Sequence, residues 1–135
     1  MKIEVRRSEM GDRMNAPKQF EDLDAWKSAR DLTNEVYAYC RREPLNRDFG
    51  LCDQLRRAAV SVMNNVAEGW ESYHVAEKIQ FYNIARRSCG EVRSMSYVLL
   101  DNQFVTAADH MTLRELSVRS GQLISGLIRS LGGRA

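Results

Sequence analysis

The sequence predicts an all-α protein, a single antiparallel up-down-up-down four-helix bundle, on three observations. Apolar residues recur at steps of three and four along most of the chain, which is the repeat of an amphipathic helix. The two prolines, Pro17 and Pro44, lie between the periodic segments and so leave the helical stretches uninterrupted. The length of 135 residues and the apolar content of 44% suit one domain with its own core. Short connections between four such helices favour antiparallel neighbours.

The N-terminal region, residues 1–19, is predicted to be a flexible arm that precedes a bundle domain at residues 20–135. It is polar and mixed in charge, and it sustains no helical period. Its five basic residues up to Lys18 outnumber three acidic ones. Such an arm could contact an anionic partner, but a plain disordered tail explains the composition more simply.

The first helix is predicted over Phe20–Arg42 and the second over Asp48–Glu68. In the first, acidic residues occupy the opening turn and basic residues the closing turn, an arrangement that complements the helix dipole. Pro44 is expected to end it. Gly69 stands where a helix commonly terminates, so we interpret it as the residue that ends the second helix.

The third helix is predicted over Val75–Asp101 and the fourth over Ala107–Leu131, where leucines follow a heptad-like spacing. The third carries two apolar stripes, and a helix that is apolar on two sides needs more than one neighbour, in a bundle or in an oligomer. The first stripe is Ile79, Tyr82, Ala85, Cys89, Val92 and Leu99, and the second is Phe81, Ile84, Met95 and Val98.

No residue pattern indicates catalysis, so we expect a protein that is not an enzyme. Di-metal four-helix bundles need a Glu-x-x-His motif on each of two helices. This chain has one match, from Glu71 to His74, and it falls at the predicted helix break. The other histidine, His110, has an alanine three positions before it. No serine or cysteine is combined with a histidine in a pattern typical of nucleophilic catalysis. We therefore predict no metal and no cofactor.

The cysteines Cys40, Cys52 and Cys89 lie at wide spacings within helical patterns. We interpret them as small buried hydrophobic residues in a reducing compartment. No apolar run approaches the ~20 residues that a membrane-spanning helix needs, and the first residues show no signal-peptide pattern. We expect a cytoplasmic protein with no membrane partner.

A polar stripe borders the apolar face of the second helix and continues at a similar depth on the third. Its members are Gln54, Ser61, Asn65, Glu68, Ser88 and Glu91. Polar groups at the edge of a core cost free energy unless they are hydrogen-bonded. We interpret the stripe as a structural network between helices, within one subunit or between subunits, and a ligand site is the less favoured alternative.

The densest basic pairs on the two central helices are Arg56 with Arg57 and Arg86 with Arg87. The net charge of +2 limits any nucleic-acid site to a local patch. Arginine outnumbers lysine sixteen to four, which favours anion recognition slightly because guanidinium groups form bidentate hydrogen bonds. Solvated helix faces, paired with nearby acidic residues, explain these arginines equally well.

Several motifs resemble those of one known protein family. They are Phe20-Glu21-Asp22-Leu23 with Trp26-Lys27 and Ala29-Arg30, Phe49-Gly50-Leu51, Gln54-Leu55-Arg56-Arg57-Ala58-Ala59, the run from Ser61 to Gly69, Phe81, Ile84-Ala85-Arg86, Ser88 and Glu91. On these residues, from about Phe20 to Leu131, the chain is similar to the bacterial four helix bundle proteins encoded in intervening sequences of 23S rRNA genes. Gly90 is less usual in that family, and we interpret it as a mark of close helix approach.

The resemblance implies a bundle that assembles into a barrel-shaped homopentamer. The family is related to the accessory variability protein of diversity-generating retroelements, which binds a reverse transcriptase and its template RNA through basic surfaces on a similar pentamer. From the resemblance we expect a homo-oligomer that binds structured RNA. Its candidate RNA contacts are Lys27, Arg30, Arg56, Arg57, Arg86 and Arg87. The alternative is a protein-interaction scaffold, such as an accessory subunit of a retroelement reverse transcriptase.

Overall fold

The structure is a computed structural model that describes residues 16–134. Most of the predicted arm, residues 1–15, lies outside the described residues. Residues 16–19 contain neither helix nor strand and lead directly into the first helical turn.

Four long helices account for most of the described chain, and residues 16–134 contain no strand, which confirms the predicted all-α class. The helices are α1 (Asp24–Cys40), α2 (Phe49–Glu71), α3 (Val75–Asp101) and α4 (Ala107–Ser130). Short 3-10 turns at Phe20–Asp22 and Leu45–Arg47 precede α1 and α2.

The helices form a closed ring in which each one packs against its two neighbours. The contacts join α1 to α2, α2 to α3, α3 to α4, and α4 back to α1. Residues 72–74 are the whole connection between α2 and α3, and a link this short reverses the chain direction between packed neighbours. The bundle is therefore antiparallel, as predicted.

The first helix begins later than the sequence predicts, at Asp24 instead of Phe20. Leu23 has φ −73° and ψ 129°, an extended conformation that separates the 3-10 turn from α1. The Leu23 side chain is 4% exposed, so this break places a leucine in the core. The prediction missed the break because the helical spacing of apolar residues continues across it. At the other end α1 stops at Cys40, two residues before the predicted end.

The interpretation of Gly69 as the end of the second helix is wrong, since α2 continues to Glu71. Gly69 lies inside the helix because α3 packs against its backbone there. A Cβ atom added at Gly69 would lie 2.4 Å from Cε1 and 2.7 Å from Cδ1 of the buried Tyr82 ring. Ser72 directly follows the last helical residue and caps the helix, and its hydroxyl donates to the Glu68 carbonyl over 2.7 Å. The bounds predicted for α3 are confirmed, and α4 ends one residue early, at Ser130.

The core contains a set of buried polar side chains that the sequence analysis did not single out. Ser28 of α1 and Ser120 of α4 are hydrogen-bonded through their hydroxyls at 2.7 Å. Thr33 donates to the carbonyls of Ala29, at 2.8 Å, and Ala59, at 3.1 Å. Because each hydroxyl has a partner, these groups avoid the penalty of unpaired burial and link α1 to both of its neighbours.

All three cysteines are buried, as predicted. Burial raises the pKa of the Cys40 thiol to about 12, with the neighbouring Cys52 thiol adding to the shift, and burial raises the pKa of Cys89 to about 12. Thiols in this condition remain protonated and unreactive near neutral pH. No helix within residues 16–134 combines the length and the apolar content that a membrane crossing requires.

Candidate nucleic-acid interface

The six basic residues predicted as RNA contacts lie on several faces of the bundle. Arg56 points toward α1, where its guanidinium carbon lies 5.8 Å from the centroid of the Tyr37 ring. Arg57, the next residue, lines the groove between α2 and α3. Arg86 lines the opposite groove, between α3 and α4, and Arg87 is exposed on α3. The structure therefore does not bring these four arginines together.

The two candidates on α1 are also separate from the others. Lys27 borders a groove between α1 and α4 whose other charged residues are Asp22 and Asp24. Arg30 lies over Trp26, with its guanidinium carbon 5.8 Å from the ring centroid. Acidic neighbours weaken the attraction of Lys27 for an anion.

The α3–α4 groove is a basic recess. It has a volume of about 410 Å³ and is lined by Arg86 and Arg93 of α3 and by Arg129 of α4. Arg86 and Arg93 are seven residues apart, which is two helical turns, so they lie on the same face of α3. Of these three, the sequence analysis named Arg86 alone.

The arginines of this groove have no acidic partner within residues 16–134. None of the described residues that line the groove is acidic, and none of the ion pairs in that part of the chain involves Arg86, Arg93 or Arg129. Arg86 does have a neutral partner, because its Nη2 donates to Asn83 Oδ1 over 3.2 Å. Arginines that line a recess without compensating carboxylates attract anions.

A sequence signal for this groove exists, and it is local. On a helix surface, residues three and four positions apart are neighbours, so an acidic residue at that spacing can neutralise an arginine. No acidic residue stands at those positions around Arg86, Arg93 or Arg129. By contrast, Arg57 has Asp53 four positions earlier, and the two form an ion pair with 3.0 Å between Nε and Oδ2.

Two glycines, Gly90 and Gly121, line the α3–α4 groove between the arginines. A Cβ atom added at Gly90 would have no heavy atom within 4 Å, and one added at Gly121 would lie 3.8 Å from Cys89 Cβ. The interpretation of Gly90 as a mark of close helix approach is therefore wrong. Its missing side chain leaves the groove open above the helix backbone.

The α2–α3 groove also has a volume of about 410 Å³, and it contains much of the predicted polar stripe. The hydroxyls of Ser61 and Ser88 are hydrogen-bonded at 2.9 Å, which joins α2 to α3. Asn65 Nδ2 donates to the Ser61 carbonyl over 2.8 Å and to its hydroxyl over 3.1 Å. Gln54 and Glu91 line the same groove. The structure brings these five residues to one place.

The remaining member of the stripe, Glu68, lies apart from that groove. Its side chain is exposed near the end of α2, and its backbone carbonyl accepts from Ser72. Gln54 and Glu68 are nearly four helical turns apart, so Glu68 lies about 21 Å further along α2, beyond the groove.

Within residues 16–134, no group of three or more histidine, cysteine or acidic side chains is placed to hold a metal ion. Glu71 is the last residue of α2 and His74 directly precedes α3, so the motif spans the connection. His110 is buried, with its Nδ1 atom 3.1 Å from the Ser96 carbonyl and its ring edge-to-face with Tyr97 at 4.6 Å.

Comparisons with known proteins agree with this fold. A family profile described as "23S rRNA-intervening sequence protein" matches residues 21–126. Among solved structures, the chain is similar to a protein of unknown function from the S23 ribosomal protein family of Bacteroides thetaiotaomicron. The TM-score is 0.71 at 18% sequence identity, and the match covers 78% of this chain and 98% of that one. None of the curated proteins matches the sequence.

Proposed function

This chain belongs to the 23S rRNA-intervening sequence protein family, and from that premise we propose that it is a non-enzymatic homo-oligomer that binds structured RNA through arginine side chains. The observation that carries the proposal is the α3–α4 groove, which Arg86, Arg93 and Arg129 line and where no described lining residue is acidic. RNA presents phosphates at short intervals, and arginine binds them with two parallel hydrogen bonds.

Self-association is the second part of the proposal, and the second apolar stripe of α3 supports it. Phe81, Ile84 and Met95 are half-buried and Val98 is 41% exposed, so one chain leaves this stripe partly in contact with water. A neighbouring copy packed on the stripe would remove that apolar area from water. By the family resemblance the assembly is a pentamer, in which five copies of a modest basic groove act together with high avidity.

The test of RNA binding compares two triple variants that remove the same charge. One is Arg86→Ala, Arg93→Ala and Arg129→Ala, and the other is Arg42→Ala, Arg47→Ala and Arg57→Ala. Each arginine of the second set is in an ion pair with an acidic residue. The measurement is the affinity for a labelled structured RNA over a series of salt concentrations.

We expect the groove triple to lower the affinity strongly. The slope of the logarithm of the binding constant against the logarithm of the salt concentration should become less negative by about two, since each lost phosphate contact accounts for ~0.7–0.9 of that slope. The ion-paired triple should change the slope by much less, because its arginines are already neutralised. Equal losses from both triples would mean that only net charge matters, and the groove would lose its role.

Light scattering after size exclusion, with and without the RNA, tests the oligomer. We expect a particle of about five times the 15.5 kDa chain that gains mass when RNA is added. A monomer at all concentrations contradicts the self-association. A pentamer that ignores RNA favours the alternative of a protein-interaction scaffold, such as a reverse-transcriptase accessory subunit.

One observation supports that alternative. The α2–α3 groove combines Arg57, Glu91 and Gln54 with the apolar Met95, and mixed surfaces of this kind are typical of protein interfaces. A polypeptide that co-purifies with the tagged protein in stoichiometric amount, and that is lost on Glu91→Arg, would favour it.

A further inference from the structure

We infer that the α3–α4 groove receives the sugar–phosphate backbone of RNA directly over Gly90, and that it contacts RNA without regard to base sequence. This inference rests on the proposed function and names which part of the RNA the groove recognises. Gly90 then determines whether the groove can accept a phosphate, because its missing side chain makes the room that a phosphate needs.

Gly90 is unexplained by the fold itself. It lies in the interior of α3, a helix of 27 residues, where glycine is less favourable than alanine by about 0.8–1 kcal/mol. An added Cβ would meet no heavy atom within 4 Å, so the packing of the described chain does not exclude a side chain. Gly69 is different, since Tyr82 occupies the space that its side chain would need. What Gly90 provides is therefore open volume, and that volume is the groove.

Basic residues lie around that open volume. Arg86 stands four positions before Gly90 and Arg93 three positions after it, so both are its neighbours on the helix surface. Arg129 lines the same groove from α4. A phosphate seated over Gly90 would thus lie between the positions of Arg86 and Arg93 on α3, in a groove that Arg129 of α4 also lines. A longer side chain at position 90 would occupy that place.

The remaining lining favours contact with the backbone over contact with bases. None of the described lining residues is aromatic, so the groove offers no ring on which a base could stack. None is acidic, so it offers no carboxylate to accept a hydrogen bond from a base amino group. The side chains of Gln122 and Ser125 border the groove and suit phosphate or ribose oxygens as partners.

The decisive variant is Gly90→Leu, compared with Gly50→Leu as a matched control. Gly50 is exposed in the first turn of α2, and its nearest neighbour for an added Cβ is Asp48 Oδ1 at 4.0 Å. Leucine is a strong helix former, so Gly90→Leu should unfold at no lower denaturant concentration than the wild type. Light scattering checks that both variants keep the wild-type assembly.

Fluorescence polarisation with a labelled structured RNA then measures binding. We expect Gly90→Leu to weaken the affinity about tenfold and to reduce the salt dependence by about one phosphate contact, whereas Gly50→Leu leaves both unchanged. Changing the unpaired bases of the RNA at constant length should alter the wild-type affinity by less than about threefold, because phosphate contacts carry no sequence information.

The possible outcomes separate the two proposals. If Gly90→Leu binds RNA as tightly as the wild type while the groove arginine triple does not, the role of Gly90 is wrong and the proposed function stands. If the wild type shows no salt-dependent RNA binding, the proposed function itself fails. If inorganic triphosphate or ATP displaces the RNA at a concentration too low to act through ionic strength alone, the groove binds a free phosphate ligand. That result overturns the assignment to RNA.

Discussion

The two flanks of α3 carry grooves of about equal volume and opposite chemical character. Toward α4, three arginines line the groove and no described lining residue is acidic. Toward α2, Arg57 is paired with Asp53, Glu91 lies in the groove, and the Ser61 and Ser88 hydroxyls are bonded to each other. The difference in charge between the two grooves has two sources, the number of lining arginines, three against one, and the acidic residue one turn from Arg57.

The same contrast holds for the glycines of the two flanks. Gly69 is enclosed by the Tyr82 ring, so its lack of a side chain serves the packing of α2 on α3. Gly90 faces open space on the other flank, so its lack of a side chain serves nothing within the described fold. The two glycines, each within a helix, thus lack a side chain for different reasons, and substitutions at both positions distinguish those reasons.

The largest effect on stability is expected from Gly69→Ala. Its new Cβ would lie 2.4 Å from Tyr82 Cε1, and the ring is buried at 2% exposure, so the ring cannot move aside freely. Overpacking costs about 1–3 kcal/mol, and the better helix propensity of alanine offsets at most about 1 kcal/mol. The free energy of unfolding, measured by urea denaturation followed by circular dichroism, should fall. A rise in the free energy of unfolding would show that α2 and α3 separate easily near Gly69.

A smaller effect is expected from the serine pair of the α2–α3 flank. Ser88 is 6% exposed and its hydroxyl lies 2.9 Å from that of Ser61. A double-mutant cycle of Ser61→Ala and Ser88→Ala should give a coupling energy of about 0.5–1.5 kcal/mol, the usual contribution of one hydrogen bond. Ser94→Ala, in the same groove but exposed, is the control and should have almost no effect. Additive losses at Ser61 and Ser88 would mean that the bond contributes nothing to the helix contact.

Gly90→Ala should change stability in the direction opposite to Gly69→Ala. Alanine meets no neighbour at this position, so the variant gains about 0.5–1 kcal/mol from helix propensity alone. The denaturation midpoint should rise while the helical signal stays the same. A loss of stability would contradict the open space that distinguishes the two glycines.

The smallest effect is expected from Asp53→Asn, which removes the exposed partner of Arg57. An ion pair of this spacing contributes only ~0.3–0.5 kcal/mol to stability, so the unfolding midpoint should hardly move. RNA affinity at low salt should nevertheless rise a few-fold, because a neutralised arginine becomes free to bind phosphate. An unchanged affinity would show that the α2–α3 flank is closed to RNA for reasons other than charge, such as contact with another subunit.

Several features of the fold could be predicted from the sequence because they depend on neighbours along the chain. The bounds of α3 follow from a long apolar period, and the burial of the three cysteines follows from their helical positions. The break at Leu23 and the passage of α2 through Gly69 could not be read in this way. Both depend on which residue of another segment packs at that point.

The residues of the candidate site also differ in whether the sequence predicts them. Arg86 was identified from the sequence, but its partners Arg93 and Arg129 were not, since Arg129 lies on a different helix and meets the others only across the packed α3–α4 interface. The local signal is an arginine with no acidic residue three or four positions away. It reduces the number of candidate arginines, but it does not show which of them lie in the same groove.

The all-α class, the number of long helices and the local charge balance of each arginine could be predicted from the amino-acid order alone. These properties follow from the helical repeat, which links residues only three or four positions apart. The packing of the helices was needed to show that Gly69 is closed and Gly90 open, and that one flank of α3 gathers arginines that have no acidic partner among residues 16–134. Those outcomes depend on contacts between helices, because the rotation of each helix about its axis is set by the fit of its side chains into its neighbours.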